Sequence, residues 1–189
     1  MSVVIGLVGE KGSGKGTFAR LFAEAAPDKK IVSMRFSDIL RETLDIWHIP
    51  ATRTNLQKLA VVMDEALGAG SLSNAIYERV IGMHADIVIL DGVRWETDVA
   101  LIRRFSKNLL IYVTASPEMR YRRTLVRGEN AGERETSFEQ FMQEELAANE
   151  TGIPRIGADA DCVIRNQGTV EEYKSAIVEC CRTRTAPLF

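Results

Sequence analysis

Residues 3–17 read Val-Val-Ile-Gly-Leu-Val-Gly-Glu-Lys-Gly-Ser-Gly-Lys-Gly-Thr. The opening run, Val3 to Val8, is short, apolar and rich in valine, the composition of a strand buried on both faces. Gly9, Gly12, Gly14 and Gly16 then let the chain turn with its N–H groups aimed inward around Ser13. Lys15 adds a point charge, and a helix expected from Thr17 presents the positive end of its dipole. Strand, glycine turn, lysine and helix in that order make a cradle for the phosphates of a nucleotide. One position departs from the usual pattern: Gly16 stands between Lys15 and Thr17, where a hydroxyl normally follows the lysine at once. Direct contact between Thr17 and a magnesium ion is therefore left open.

Four more apolar runs follow, at Ile31 to Phe36, Ile87 to Leu90, Leu109 to Val113 and Cys162 to Ile164. Helical patterns separate them, so the chain is expected to be an α/β protein with a parallel sheet of five strands and helices on both faces. Thr54 with Gln57, Ser137 with Gln140 and Thr169 with Glu172 have capping-box spacing, and Ser116-Pro117-Glu118 puts proline at a first helical position. Leu56, Leu59, Ala60, Met63 and Leu67 form one helical stripe, and Val170, Tyr173, Ile177 and Cys181 another. Both are expected in the core. With 189 residues and no break in composition, a single domain over 1–189 is expected. The formal charge of −2 gives no general attraction for nucleic acid or for an anionic membrane. No apolar stretch reaches membrane-spanning length, and the N-terminal run lacks the basic flank of a signal peptide. A cytoplasmic protein is expected, with Cys162, Cys180 and Cys181 as reduced thiols, and with His48 and His84 outside the chemistry.

Two clusters carry further chemistry. Asp91, in Ile89-Leu90-Asp91-Gly92-Val93-Arg94, stands at the end of a buried run, where phosphate-loop enzymes hold magnesium or its water shell. A helix cap is the alternative reading of the same aspartate. Arg120, Arg123 and Arg127 fall on one helical face at about 100° per residue. Such a face is either solvated or supplied with an anionic partner.

The Gly-Ser-Gly-Lys-Gly-Thr loop resembles that of adenylate kinases and their relatives. Ser37-Asp38-Ile39-Leu40-Arg41 resembles a segment of nucleoside monophosphate kinases, and that resemblance implies that Arg41 grips the acceptor's phosphate. Leu90-Asp91-Gly92-Val93-Arg94 is similar to a segment of adenylate kinases with one residue fewer, implying a second acceptor contact from Arg94. Ser116-Pro117-Glu118 through Arg123 and Arg127 resembles dephospho-CoA kinases, implying that these two arginines reach the transferring phosphates. Ala160-Asp161 through Asn166, Gln167, Gly168 and Thr169 adds to that likeness, and the resemblance to adenylate kinase relatives implies that Asn166, Gln167 and Gly168 make backbone contacts to the donor adenine. The resemblance further implies an acceptor-binding insertion over about residues 38–85 and a short mobile lid over about 128–137.

The expected activity is phosphoryl transfer from ATP, with Mg2+ held by Thr17 and Asp91, to the phosphate of a nucleoside or deoxynucleoside monophosphate. A phosphate acceptor is already ionised and needs no base, which suits a set of Lys15, Arg41, Arg94, Arg123 and Arg127. Transfer to a hydroxyl, with dephospho-CoA as first candidate and Asp38 as base, is the alternative. A nucleotide-dependent switch is a third. The partners expected are ATP and a small phosphorylated acceptor, with neither nucleic acid nor membrane, and the oligomeric state is left open.

Overall fold

The computed structural model describes residues 2–68, 70–127, 135–147 and 150–184. Five strands, β1 (Val3–Val8), β2 (Ile31–Arg35), β3 (Ile87–Val93), β4 (Asn108–Thr114) and β5 (Cys162–Arg165), form one sheet in the order β2-β3-β1-β4-β5. All neighbours run parallel. The helices between them are α1 (Lys15–Ala25), α2 (Asp38–Ile46), α3 (Arg53–Leu67), α4 (Ser71–Ile81), α5 (Glu96–Arg103), α6 (Pro117–Arg127), α7 (Phe138–Glu144), α8 (Ile153–Ala158) and α9 (Val170–Arg184).

Alternation along the strands builds two cores. Val3, Ile5 and Leu7 of β1 join Ile87, Ile89, Leu109 and Ile111 in a cluster capped by Phe18 and Phe22 of α1 and Ile177 of α9. Val4 and Val8 point the other way and join Val88, Leu90 and Leu110 beneath Ile76 of α4, Ile102 of α5 and Ile156 of α8. Burying each such side chain contributes about 1.5–3 kcal/mol, which is why these strands are apolar on both faces. Gly6 is required where β1 passes α5, since a Cβ there would lie 2.1 Å from Ile102 Cδ1.

Because every strand runs the same way, residues 9–14, 36–38, 91–94, 115–116 and 166–168 all emerge at one edge of the sheet. Open parallel sheets bind ligands at that edge.

Several expectations are corrected in detail. The helix α1 begins at Lys15, not at Thr17. The cap of α3 is Thr52, whose hydroxyl accepts from Asn55 N, rather than Thr54. Ser137 and Thr169 cap as expected, through reciprocal bonds with Gln140 and Glu172. The stripes overreach at their ends: Leu67 and Val170 are exposed, while Leu59, Tyr173, Ile177 and Cys181 are buried. β3 does not stop at Leu90. A bulge at Gly92, whose φ is 93°, carries the strand through Asp91 to Val93. Cys162 and Cys180 are joined as a disulfide, against the expectation of three reduced thiols, because β5 and α9 pack side by side. Cys181 is buried and lies outside the disulfide, and burial pushes its thiol up to about 12. Within the proposed lid, residues 128–134 lie outside the described residues. No described helix is long and apolar enough to cross a membrane.

Candidate active site

The chain leaves β1 at Val8 and turns through the glycines into α1. Gly12 and Gly14 have φ of 78° and 109°, the left-handed region that favours glycine. Their lack of a side chain is also used for contact. A Cβ on Gly12 would lie 2.5 Å from the Arg120 carbonyl oxygen, and one on Gly14 would lie 2.3 Å from Asn166 Nδ2. A Cβ on Gly16 would meet nothing within 4 Å. The loop is thus sealed against α6 and the β5–α9 turn on one side and open at Gly16 on the other.

Lys15 is the first residue of α1 and is folded back over the loop, donating to Gly9 O at 2.5 Å and Glu10 O at 3.1 Å. Burial lowers its pKa; the Asp91 carboxylate opposes this most strongly, Arg94 reinforces it, and Glu150 and Glu10 oppose it. A buried ammonium whose partners are loop carbonyls is poised to exchange them for phosphate oxygens. Thr17 lies two residues further on, half-buried.

Three buried side-chain oxygens lack a hydrogen-bond partner among the described residues: Glu10 Oε2, Ser13 Oγ and Asp91 Oδ1. Glu10 and Ser13 belong to the loop, and Asp91 acts by charge on its lysine. Unsatisfied buried oxygens cost about 1–3 kcal/mol each, so three of them in the loop and beside its lysine make this a candidate place for a ligand that supplies partners. Asp91 does not cap α5. That part is taken by Asp98, which accepts from Arg94 N at 2.9 Å and Trp95 N at 3.0 Å. Burial raises the pKa of Asp98, against the pull of those two amides.

The turn after β5 is wired to the loop. Asn166 is buried; its Nδ2 donates to Ser13 O at 2.9 Å, while its own N–H donates to Thr114 O at 2.8 Å. Arg123 donates to Asn166 O at 3.0 Å and Oδ1 at 3.2 Å, and reaches Ser13 O at 3.5 Å. Tyr173 of α9 donates to Gly14 O at 3.2 Å. Asn166 is therefore a brace of the phosphate loop, and its N–H is spent. The N–H of Gln167 is also spent, on Arg165 O at 3.0 Å. The N–H of Gly168 has no acceptor among the described residues, and Gln167 and Gly168 line a cavity of about 420 Å³ together with Arg165, Glu172, Tyr173 and Ala176.

The arginine face of α6 divides. Arg120 is buried and structural: it donates to Ala115 O at 3.0 Å and pairs closely with Glu145 through both guanidinium nitrogens. Arg123 reaches the loop as just described. Arg127 is exposed at the last residue of α6.

At the β2–β3 side of the sheet, Arg41 is exposed on α2, with no side-chain partner among the described residues. Asp38 accepts from Arg35 N through Oδ2 at 2.7 Å. Arg94 is paired with Glu150 at 2.5 Å. Sequence reading missed Glu10, Glu145, Glu150 and Tyr173. Glu10 Oε1 accepts from the hydroxyl of Tyr112, whose pKa burial and that bond push up to about 12. No local pattern announces such partners, since Glu145 and Arg120 are 25 positions apart and Tyr173 and Gly14 are 159 apart.

The pattern of the AAA domain family matches residues 5–147. A UPF0200 protein of Sulfurisphaera tokodaii is 32% identical over 177 residues, covering 93% of this chain and 94% of its own. Among solved structures, shikimate kinase from Bacteroides thetaiotaomicron superposes with a TM-score of 0.60 at 15% identity, covering 94% of this chain and 97% of that one. Shikimate kinase from Acinetobacter baumannii, solved with shikimate, gives 0.56 at 15% identity, covering 98% and 96%. At such identities the likeness is one of fold, the α/β P-loop fold.

Proposed function

We propose that this chain, which belongs to the UPF0200 family and to the family of the AAA domain, is an ATP-dependent kinase that transfers the terminal phosphoryl group to a small acceptor. The observation that carries this reading is Asp91, whose buried, unpartnered Oδ1 stands at a strand end and whose charge acts on the loop lysine. Its carboxylate and the hydroxyl of Thr17 are hard oxygen donors, the kind that suit Mg2+ carried on nucleotide phosphates. Bound there, the ion would neutralise charge developing on the phosphate oxygens.

The chain's own residues supply the rest. Loop N–H groups and Lys15 hold the donor phosphates. Arg123, fixed to Asn166 and Ser13, brings a guanidinium to the same edge, and Arg127 adds charge from the end of α6. Gln167 and Gly168 offer a slot for the donor base, with Gly168 N–H as its free donor. We assign the acceptor to the space between α2, which carries Arg41, and the end of β3, which leads into Arg94. Two guanidiniums there suit an acceptor bearing a phosphate, such as a nucleoside or deoxynucleoside monophosphate, which attacks without a base. A second reading rests on Asp38. One of its oxygens is pinned by Arg35 N and the other takes no bond among the described residues, as a base for an acceptor hydroxyl requires.

ADP release from ATP and Mg2+, with nucleoside monophosphates, deoxynucleoside monophosphates and dephospho-CoA added singly, tests the proposal. A phosphate acceptor gives turnover that Arg41→Ala impairs through acceptor KM and Asp38→Asn largely spares. A hydroxyl acceptor reverses that order. If no acceptor raises ADP release above the basal rate, the kinase reading gives way to a nucleotide-dependent switch.

A further inference from the structure

The end of α7 and the described residues that follow it form a segment that sets three carboxylates against the phosphate loop, α6 and the end of β3. Glu145 pairs with the buried Arg120, whose Nη1 also reaches Lys11 O at 3.4 Å, so this contact anchors the segment to the loop. To one side Glu144 binds Lys11, a loop residue, at 3.0 Å. To the other Glu150 binds Arg94 at 2.5 Å. The Glu150 side chain is 15% exposed and that of Arg94 40%, so the carboxylate is the more enclosed of the two. Its charge also acts on Lys15, beside that of Asp91. A carboxylate that accepts from one nitrogen of the Arg94 guanidinium, with its charge felt by the loop lysine, occupies the electrostatic place of a phosphate, because a guanidinium donates to both anions through the same N–H groups.

We propose that Glu150 is an internal stand-in for a substrate phosphate, a specificity-determining residue that Arg94 releases only to a more highly charged anion. The inference rests on the reading of Arg94 as an acceptor contact. A phosphate dianion carries twice the charge of the carboxylate and displaces it, whereas chloride or a small carboxylate does not. The site thereby discriminates between anions before any recognition of the rest of the molecule. The cost is affinity, since every phosphate must first break the pair.

Inorganic phosphate is the direct probe, titrated calorimetrically into the full chain at low ionic strength. Glu150→Gln keeps the shape and removes the charge, and is expected to bind phosphate roughly tenfold more tightly, the effect of freeing one charge-assisted contact. Glu150→Asp retracts the charge by one methylene and is expected to give a smaller gain. Adding Arg94→Ala to Glu150→Gln is expected to abolish the gain. Phosphate binding unchanged or weakened in both single variants overturns the proposal, and so does loss of cooperative melting in both, which makes Glu150 structural. If the gain appears but no acceptor supports ATP turnover, the stand-in stands and the kinase reading falls.

Discussion

Replacing Asn166 by alanine separates two roles for the turn after β5. In the structure the side chain is 6% exposed and serves the loop: Nδ2 donates to Ser13 O at 2.9 Å, and Oδ1 accepts from Arg123 at 3.2 Å. Truncation leaves Ser13 O with only the 3.5 Å contact from Arg123, while Arg123 keeps the backbone oxygen of residue 166 at 3.0 Å. The loss is therefore one buried neutral bond and part of a charge-assisted one, costing about 1–3 kcal/mol. For a chain of this size that lowers Tm by roughly 2–12 °C. On the proposed function the loop it loosens holds phosphates and not the base, so ATP, GTP and inorganic tripolyphosphate should lose affinity by the same factor. Thermal melts and equilibrium binding of the three ligands measure both effects. A loss confined to ATP with Tm unchanged would refute the bracing argument and return Asn166 to base recognition.

Lys15 predicts a proton linkage. Its folded-state pKa lies below the usual lysine value because burial disfavours the ammonium. Phosphate restores the preference for the charged form, so in alkaline solution, between the lowered pKa and the ordinary one, ATP binding should take up a proton. Calorimetry in buffers of different ionisation enthalpy should show that uptake and Lys15→Met should remove it; uptake persisting in the variant assigns it to another group. Gly12→Ala should destabilise the fold by about 2–4 kcal/mol, since it combines left-handed strain with a backbone contact at 2.5 Å, whereas Gly16→Ala should change stability by less than about 0.5 kcal/mol. Denaturant titration of the two variants checks the contrast, and equal stabilities would show that the loop is free to move away from Arg120.

The sheet was legible because each strand is short, β-branched and bounded by polar residues, and burial on both faces demands that composition. The loop was legible because its glycines answer to a local constraint. What could not be read depends on partners brought together by the fold. Arg120, Arg123 and Arg127 looked like one basic face; packing against Glu145 and Phe141 buries the first, while the second is drawn to Ser13 and Asn166. Asp91 looked like a residue just past a strand, and the Gly92 bulge places it inside one. Leu67 fits the helical stripe of α3 by period alone, but it lies at the last residue of that helix, beyond the elements that cover Leu59. Cys162 and Cys180 have no telling spacing, since their contact follows from β5 lying beside α9.

The bracing of the phosphate loop has a consequence for how such a sequence can diverge. Positions 13, 14, 123, 166 and 173 hold one another through backbone carbonyls, an absent Cβ and a shared guanidinium, so a change at one is tolerated only with changes at the others. Arg41 on α2 carries no such obligation. Descent with modification would then preserve the nucleotide-facing half as a co-varying block and leave α2 open to drift, allowing one ancestral loop to be inherited by enzymes with different acceptors.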